Sequence, residues 1–84
     1  MVELRVLYFA KAREVVGKSE EAVTLAAPAT AASLQAHLVA TYPDLASVLR
    51  SCVFALNQEY VQMEASVPLK DGDEVAVIPP LSGG

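Results

Sequence analysis

Apolar and polar residues alternate at the start of the chain, and this pattern predicts a β-strand over Val2–Phe9. One face of that strand would be wholly apolar or aromatic and would consist of Val2, Leu4, Val6 and Tyr8. The opposite face begins with Glu3 and Arg5, which belong in solvent. Strict alternation places Leu7 and Phe9 on the outer side with them.

A single main helix is predicted in the middle of the chain. Thr30 is a suitable N-cap, and the helix continues to about Thr41 with Leu34 and Leu38 one turn apart on its buried side. A second, short helix follows, and Asp44 is in the position to cap it.

The remaining predicted elements are short, and their order indicates the fold class. They are a helical turn over Lys11–Val16 closed by Gly17, a strand over Glu21–Leu25, a linker over Ala26–Ala29, a strand over Cys52–Leu56, a turn at Asn57-Gln58, and strands over Tyr60–Met63 and Glu74–Ile78. Two pairs of strands around a helix favour an α+β fold of the β-grasp type, a mixed sheet of about four to five strands with one main helix packed across one face. Periodicity alone leaves a ferredoxin-like arrangement open.

Composition narrows the possible partners and chemistry. The 84 residues form one domain, and 54% of them are hydrophobic, which is enough for a packed core. A formal net charge of −4 argues against nucleic acids and anionic membranes, because both would repel the protein. One cysteine and one histidine are too few for an internal disulfide or a structural zinc site, so no metal site is expected. Without an apolar run of the roughly 18 residues that a membrane span needs, a cytoplasmic domain is expected.

The most informative segment is the uncharged sequence VAVIPPLSGG over Val75–Gly84. Pro79 and Pro80 fix φ and favour an extended chain, so residues 1–78 are expected to form the domain and residues 79–84 an extended, flexible tail. Six extended residues span about 20 Å, enough to enter a pocket of a partner. Because glycine has no Cβ, the two final glycines would fit a narrow channel and carry a carboxylate to a reaction centre. A merely frayed terminus is the simpler alternative, but it needs no Pro-Pro.

The segment Asp71–Gly84, DGDEVAVIPPLSGG, closely resembles the C-terminus of the molybdopterin synthase small subunit family. Further matches to that family are Tyr8-Phe9-Ala10, Arg13-Glu14, Gly17 and the segment Ala55–Tyr60. Together these matches span most of the chain, and the helical middle is its least distinctive part.

The resemblance implies a ubiquitin-like β-grasp protein that carries sulfur and is not an enzyme on its own. The chain would bind no cofactor. An ATP-dependent adenylating enzyme would consume ATP to activate the carboxylate of Gly84, and a sulfur donor protein would convert it to a thiocarboxylate. The tail residues that thread into the active site of the synthase large subunit would be Pro79, Pro80, Leu81, Ser82 and Gly83. In a heterotetramer with two copies of each subunit, the sulfur would pass to cyclic pyranopterin monophosphate during molybdenum cofactor biosynthesis.

The strand pattern adds a surface where these partners could bind. In a β-grasp sheet the first and last strands are parallel neighbours, so Phe9 and Ile78 should lie side by side on the outer face at the base of the tail. Tyr60 would extend this apolar area. We expect Phe9, Tyr60 and Ile78, the docking surface, to bind both the large subunit and the activating enzyme. The alternative is that the alternation breaks and that these three residues belong to the core.

Three alternative functions stay open at the level of sequence. A sulfur carrier for thiamine or another product shares the fold and the Gly-Gly end, although such carriers are usually shorter and lack the Pro-Pro. A ubiquitin-like protein modifier would use the same adenylate of Gly84 to form a bond with lysines of target proteins. A plain β-grasp binding module would make no use of the final glycine.

Overall fold

The computed structural model describes residues 1–61 and 66–79. Its elements are, in chain order, β1 Val2–Tyr8, α1 Ala10–Val16, β2 Glu20–Leu25, β3 Ala29–Thr30, α2 Ala31–Thr41, α3 Leu45–Leu49, β4 Val53–Leu56, β5 Glu59–Val61, β6 Pro68–Leu69 and β7 Glu74–Ile78. Each helix and long strand predicted from the sequence is present within one residue of its predicted start.

The main sheet confirms the β-grasp prediction. Its five strands lie in the order β2-β1-β7-β4-β5. The first and last strands of the chain, β1 and β7, are parallel neighbours at the centre, whereas all other neighbouring pairs in this sheet are antiparallel. A ferredoxin-like fold requires a βαββαβ order, which these elements do not follow.

The main helix α2 packs on one face of this sheet and closes the core. Thr30 caps the helix as predicted: its Oγ1 accepts from the backbone N–H of Ser33, while Ser33 Oγ accepts from the backbone N–H of Thr30. Leu34 and Leu38 are fully buried. The core that they join includes Leu4, Val6, Tyr8, Phe54, Val75 and Val77. The inner face of the sheet is therefore the helix-covered one, and the opposite side is called the outer face below.

Two local predictions fail for physical reasons. The last residue of the predicted linker, Ala29, is the first residue of β3, which pairs with β6 in a separate two-stranded sheet. Strands of two residues are too short for alternation to show. Asp44 has helical backbone angles and its side chain makes no capping hydrogen bond to α3, so the predicted cap is wrong. The predicted stop at Gly17 is confirmed, because its left-handed φ of 83° closes α1 and its N–H bonds to the Arg13 carbonyl.

Hydrogen bonds hold the start of β7 against its neighbours. Asn57, whose φ is 52°, donates through Nδ2 to Asp73 Oδ1 at 3.0 Å and accepts at Oδ1 from the Glu74 backbone N–H at 2.9 Å. The other Asp73 oxygen accepts from the Lys70 backbone N–H at 2.8 Å. Burial of Asp73 raises its pKa, but these hydrogen bonds outweigh burial and leave the pKa lowered. These hydrogen bonds therefore fix the position of the first residue of β7, the strand that leads into the tail.

None of the helices in the described ranges has the length and apolar character needed to cross a membrane.

Candidate docking surface at the base of the tail

The tail departs from the centre of the sheet, between the ends of two other strands. Ile78 is the last residue of β7 and pairs with Val53 at the start of β4. On the other side, the backbone N–H of Phe9 donates to the Val77 carbonyl at 3.2 Å, which continues the parallel pairing one residue beyond β1. Pro79, the last described residue of the tail, is half-buried.

The two aromatic members of the docking surface are exposed, and for Phe9 the alternation predicts this. Phe9 retains extended backbone angles at the N-cap of α1, so the alternation of β1 continues through it, and the residue is 46% exposed. Tyr60 on β5 is 74% exposed. The alternative in which these two aromatic residues are part of the core is therefore wrong.

Ile78 connects the docking surface to the tail. It is half-buried and lies on the outer face, since its neighbour Val77 is fully buried on the inner face. Its parallel neighbour across the strand pair is Phe9, because Tyr8 is in register with Val77. Phe9 and Ile78 therefore lie side by side, as the sequence predicts.

Tyr60 lies in the adjacent row of the outer face. The backbone register aligns Leu7 with Ala76, Ala76 with Ala55, and Ala55 with Tyr60. This row has short alanine side chains in the middle and larger apolar ones at its two ends. The outer face therefore has a shallow depression over the two alanines, beside the start of the tail, and a side chain of a partner can fit there.

One exposed apolar residue of this face was missed by the sequence analysis. Val53 is 43% exposed and lies directly opposite Ile78. Alternation within the predicted strand could have identified it, because Phe54 is buried and Val53 must then point to the other face.

A network of polar side chains lies on the inner side of the sheet, next to Phe9. The carboxylate of Glu21 accepts from Tyr8 Oη at 2.6 Å, from Tyr42 Oη at 2.9 Å and from Lys18 Nζ at 3.3 Å. Burial raises the pKa of Glu21, but the three donors outweigh it and the pKa is lowered. The pKa of the Tyr8 hydroxyl is raised by its burial and by the hydrogen bond to this carboxylate. The network therefore favours an ionised Glu21 and neutral tyrosines.

Two further side chains, Cys52 and His37, are of types that often carry out chemistry in proteins. Cys52 is half-buried, its Sγ donates to the Val48 carbonyl at 3.1 Å, and burial raises its pKa, which disfavours the reactive thiolate. His37 is exposed on α2. Among residues 1–61 and 66–79, no three His, Cys, Asp or Glu side chains are grouped to hold a metal ion.

The predicted tail sites fall mostly beyond the part that the structure describes. Pro80, Leu81, Ser82, Gly83 and Gly84 lie outside the described residues, as does Met63 of the predicted fourth strand. The division into a domain over 1–78 and a tail over 79–84 stays a prediction.

Comparison with known proteins identifies close relatives of the whole chain. The molybdopterin synthase sulfur carrier subunit of Chlamydomonas reinhardtii is 54% identical over 83 residues, which cover 99% of this chain and 100% of the relative. The protein of the same description from Homo sapiens is 39% identical and covers 100% of this chain and 97% of its own length.

Solved structures share the fold. A putative molybdopterin converting factor, subunit 1, from Pyrococcus furiosus superposes with a TM-score of 0.85 at 28% identity, over 96% of this chain and 100% of that one. Small archaeal modifier protein 1 from Methanosarcina acetivorans gives 0.84 at 26% identity, over 100% and 98% of the two chains. A chain of the protein–protein complex of subunits 1 and 2 of molybdopterin-converting factor from Helicobacter pylori superposes with a TM-score of 0.73 at 25% identity. The match covers 99% of this chain and 100% of that one.

These neighbours are ubiquitin-like β-grasp proteins, in agreement with the strand order of the main sheet. Residues 6–84 match the ThiS family, a range that includes the tail as well as the domain. The chain therefore belongs to the ThiS family, with molybdopterin synthase sulfur carrier subunits as its curated relatives.

Proposed function

We propose that this protein is the sulfur carrier subunit of a molybdopterin synthase and that Gly84 carries the sulfur. The observation that carries the proposal is the full-length identity of 54% to a protein described as such a subunit. The exposed apolar face at the base of the tail supports it, because a carrier that is loaded and unloaded by other proteins needs a surface for them to bind. In this function the chain supplies sulfur and its partners supply catalytic groups.

The chemistry begins with a carboxylate that is a poor electrophile. On the adenylating enzyme, the Gly84 carboxylate attacks the α-phosphate of ATP. This step forms an acyl-adenylate and releases pyrophosphate. A sulfur nucleophile from the donor protein then attacks the acyl carbon and displaces AMP. Where the nucleophile is the outer sulfur of a persulfide on the donor, a thiol then cleaves the S–S bond and forms a disulfide with the donor. The carbonyl carbon of Gly84 thus keeps sulfur in place of one oxygen, as a thiocarboxylate.

Delivery of this sulfur depends on the tail and the docking surface. Phe9, Tyr60 and Ile78 bind the large subunit, and the tail enters its active site, where sulfur passes to cyclic pyranopterin monophosphate. Six extended residues reach about 20 Å from the sheet. The Helicobacter pylori structure, a complex of subunits 1 and 2, supports a large-subunit partner. A cytoplasmic heterotetramer with two copies of each subunit is part of the same proposal.

The deciding experiment measures the intact mass of the protein after incubation with ATP, the adenylating enzyme and a sulfur donor. We expect a gain equal to the exchange of one oxygen for sulfur. The matched control is a chain that lacks Gly84, which keeps the whole domain and should show no gain. A wild-type protein whose mass does not change under conditions that load a related carrier would contradict the proposal. Conversion of cyclic pyranopterin monophosphate by the loaded protein with the large subunit then distinguishes this pathway from thiamine synthesis.

A second candidate function is protein modification through the same activated glycine. The Methanosarcina acetivorans neighbour, with a TM-score of 0.84, is described as a small archaeal modifier protein. An acyl-adenylate of Gly84 would react with a lysine amine to form an isopeptide bond and release AMP. Conjugates of higher mass that survive on a denaturing gel and disappear without Gly84 would support this function.

A further inference from the structure

Val53 is an exposed apolar residue that the fold itself does not require. In residues 1–60 and 66–79, the large hydrophobic side chains that are exposed are Met1, Phe9, Val53 and Tyr60. Met1 precedes the first strand, at the opposite end of β1 from the tail. The other three lie on the outer face near Ile78, and Val53 is absent from the hydrophobic core. The packing of the core therefore does not explain why an apolar side chain occupies this exposed position.

The position of Val53 relative to the tail supplies that explanation. Phe9, Ile78 and Val53 form one row across three neighbouring strands, β1, β7 and β4. Neighbouring strands are about 4.8 Å apart, so the row is roughly 10 Å wide with the start of the tail at its middle. Phe9 therefore flanks the exit of the tail on one side and Val53 flanks it on the other.

A partner that binds the tail has to cover both flanks. A helix with its side chains is about 10 Å wide, and an element packed on a sheet lies about 10 Å from it. An element of this width over Pro79 or Ile78 extends over the neighbouring strand ends, and it removes the side chains there from water. The row carries no charged residue, so this contact leaves no buried charge without a partner.

We propose that Val53 is a further member of the docking surface and is contacted by the large subunit when the tail enters its active site. This inference rests on the proposed function, since it takes the large subunit as the protein that binds the tail. It assigns to the large subunit an uncharged, apolar contact opposite Val53. It also makes the surface nearly symmetric about the tail, with an apolar side chain on each side of Ile78.

The test measures the dissociation constant between the full chain and the large subunit by calorimetry. For Val53→Asp we expect binding weaker by about tenfold or more, because the carboxylate would be desolvated in an apolar contact. Val53→Thr keeps the shape and replaces a methyl group with a hydroxyl, so we expect a loss of a few-fold. Circular dichroism and thermal unfolding of each variant establish that it is folded.

The matched control places the same charge elsewhere on the outer face. Ala22 on the edge strand β2 is exposed and pairs with Arg5, which also bonds to Glu20, so Ala22→Asp introduces a carboxylate opposite a cation at a site two strands from β7. We expect Ala22→Asp to bind within about twofold of the unaltered protein, because rim and remote positions contribute little.

Comparison with Phe9→Asp keeps this inference separate from the proposed function. Folded Val53→Asp that binds as the unaltered protein does, while Phe9→Asp binds weakly, would overturn the role of Val53 and leave the docking surface intact. Normal binding by both variants would overturn the docking surface as well. If Val53→Asp does not fold, Val53→Thr decides: unchanged binding overturns the inference and weaker binding supports it. Mass gain at Gly84 is measured independently of all these variants.

Discussion

The two faces of the main sheet use neighbouring residues of the same strands for different purposes. Tyr8 is 1% exposed and its neighbour Phe9 is 46% exposed, while Phe54 is 7% exposed and Val53 is 43% exposed. The inner residue of each pair belongs to the core that Leu34 and Leu38 of α2 join, whereas the outer one faces solvent at the base of the tail. All four residues are hydrophobic, so hydrophobicity does not distinguish a residue that holds the fold from one available to a partner. The face of the strand does.

This difference predicts that substitutions one position apart will affect different properties. A substitution on the inner face lowers the free energy of unfolding, because the core has no alternative contact for the altered side chain. A substitution on the outer face lowers the affinity for a partner, because the side chain is already in contact with water in the isolated protein.

The largest effect is expected for a charge at the inner position at the end of β7. Val77 is fully buried, so Val77→Asp would force an unpaired carboxylate into the core and should lower the free energy of unfolding by several kcal/mol, about 4 or more. Urea unfolding followed by circular dichroism measures this loss. Ile78→Asp is the matched control, because its side chain points to the outer face and we expect a loss of only about 1 kcal/mol. Equal losses in the two variants would show that the faces do not differ.

The next effect concerns the outer face alone. Phe9→Asp should leave the protein folded and weaken binding to the large subunit by about 2 kcal/mol or more, because exposed aromatic residues at interface centres often dominate affinity. Calorimetric titration of the folded variant measures the change, and Phe9→Tyr, which keeps the ring, should retain most of the affinity. A Phe9→Asp protein with unaltered affinity would argue that the large subunit binds elsewhere.

Much of the fold and part of the surface followed from period-two alternation. The residues of β1 are all assigned to their correct faces by alternation, and the exposure of Phe9 follows from the same rule continued past the end of the strand. The prediction that Ile78 lies beside it required more, namely the parallel pairing of the first and last strands. That pairing came from the β-grasp order, which a single strand does not reveal.

What the sequence did not predict depends on contacts between distant residues. Glu21 is half-buried because Tyr8 and Tyr42 bring their hydroxyls to it from different elements, and no local pattern marks such a meeting. Asp73 lies just before β7 and is buried, and its carboxylate accepts hydrogen bonds from Asn57 and from the backbone of Lys70. Both are carboxylates, the residue class least expected inside a protein.

The smallest effect tests the polar contacts of the inner side through their dependence on pH. Tyr42 donates to Glu21 at 2.9 Å, and a hydrogen bond to a charged group contributes about 1.5 to 3 kcal/mol, so Tyr42→Phe should cost about 1 to 2 kcal/mol at pH 7. The pKa of Glu21 is lowered from its ordinary value of 4.5 in the folded protein. Its ionised form therefore contributes stability above that value, and this stability is lost as the pH falls through the folded pKa.

Tyr42→Phe removes one donor that favours the ionised carboxylate, so we expect its deficit in the free energy of unfolding to be smaller at an acidic pH below the folded pKa of Glu21, where this carboxylate is protonated, than at pH 7. Urea titrations at the two pH values measure the deficit. The lowered pKa of Asp73 makes the same contribution in both proteins and cancels from the difference. Glu21→Gln is the control, because without a carboxylate the cost of Tyr42→Phe should no longer depend on pH. A deficit of equal size at both pH values would contradict a hydrogen bond that depends on the ionised carboxylate. No deficit at either pH would mean that Tyr42 stabilises the inner face through its ring, which the variant retains and which lies 6.4 Å from that of Tyr8 in an edge-on arrangement.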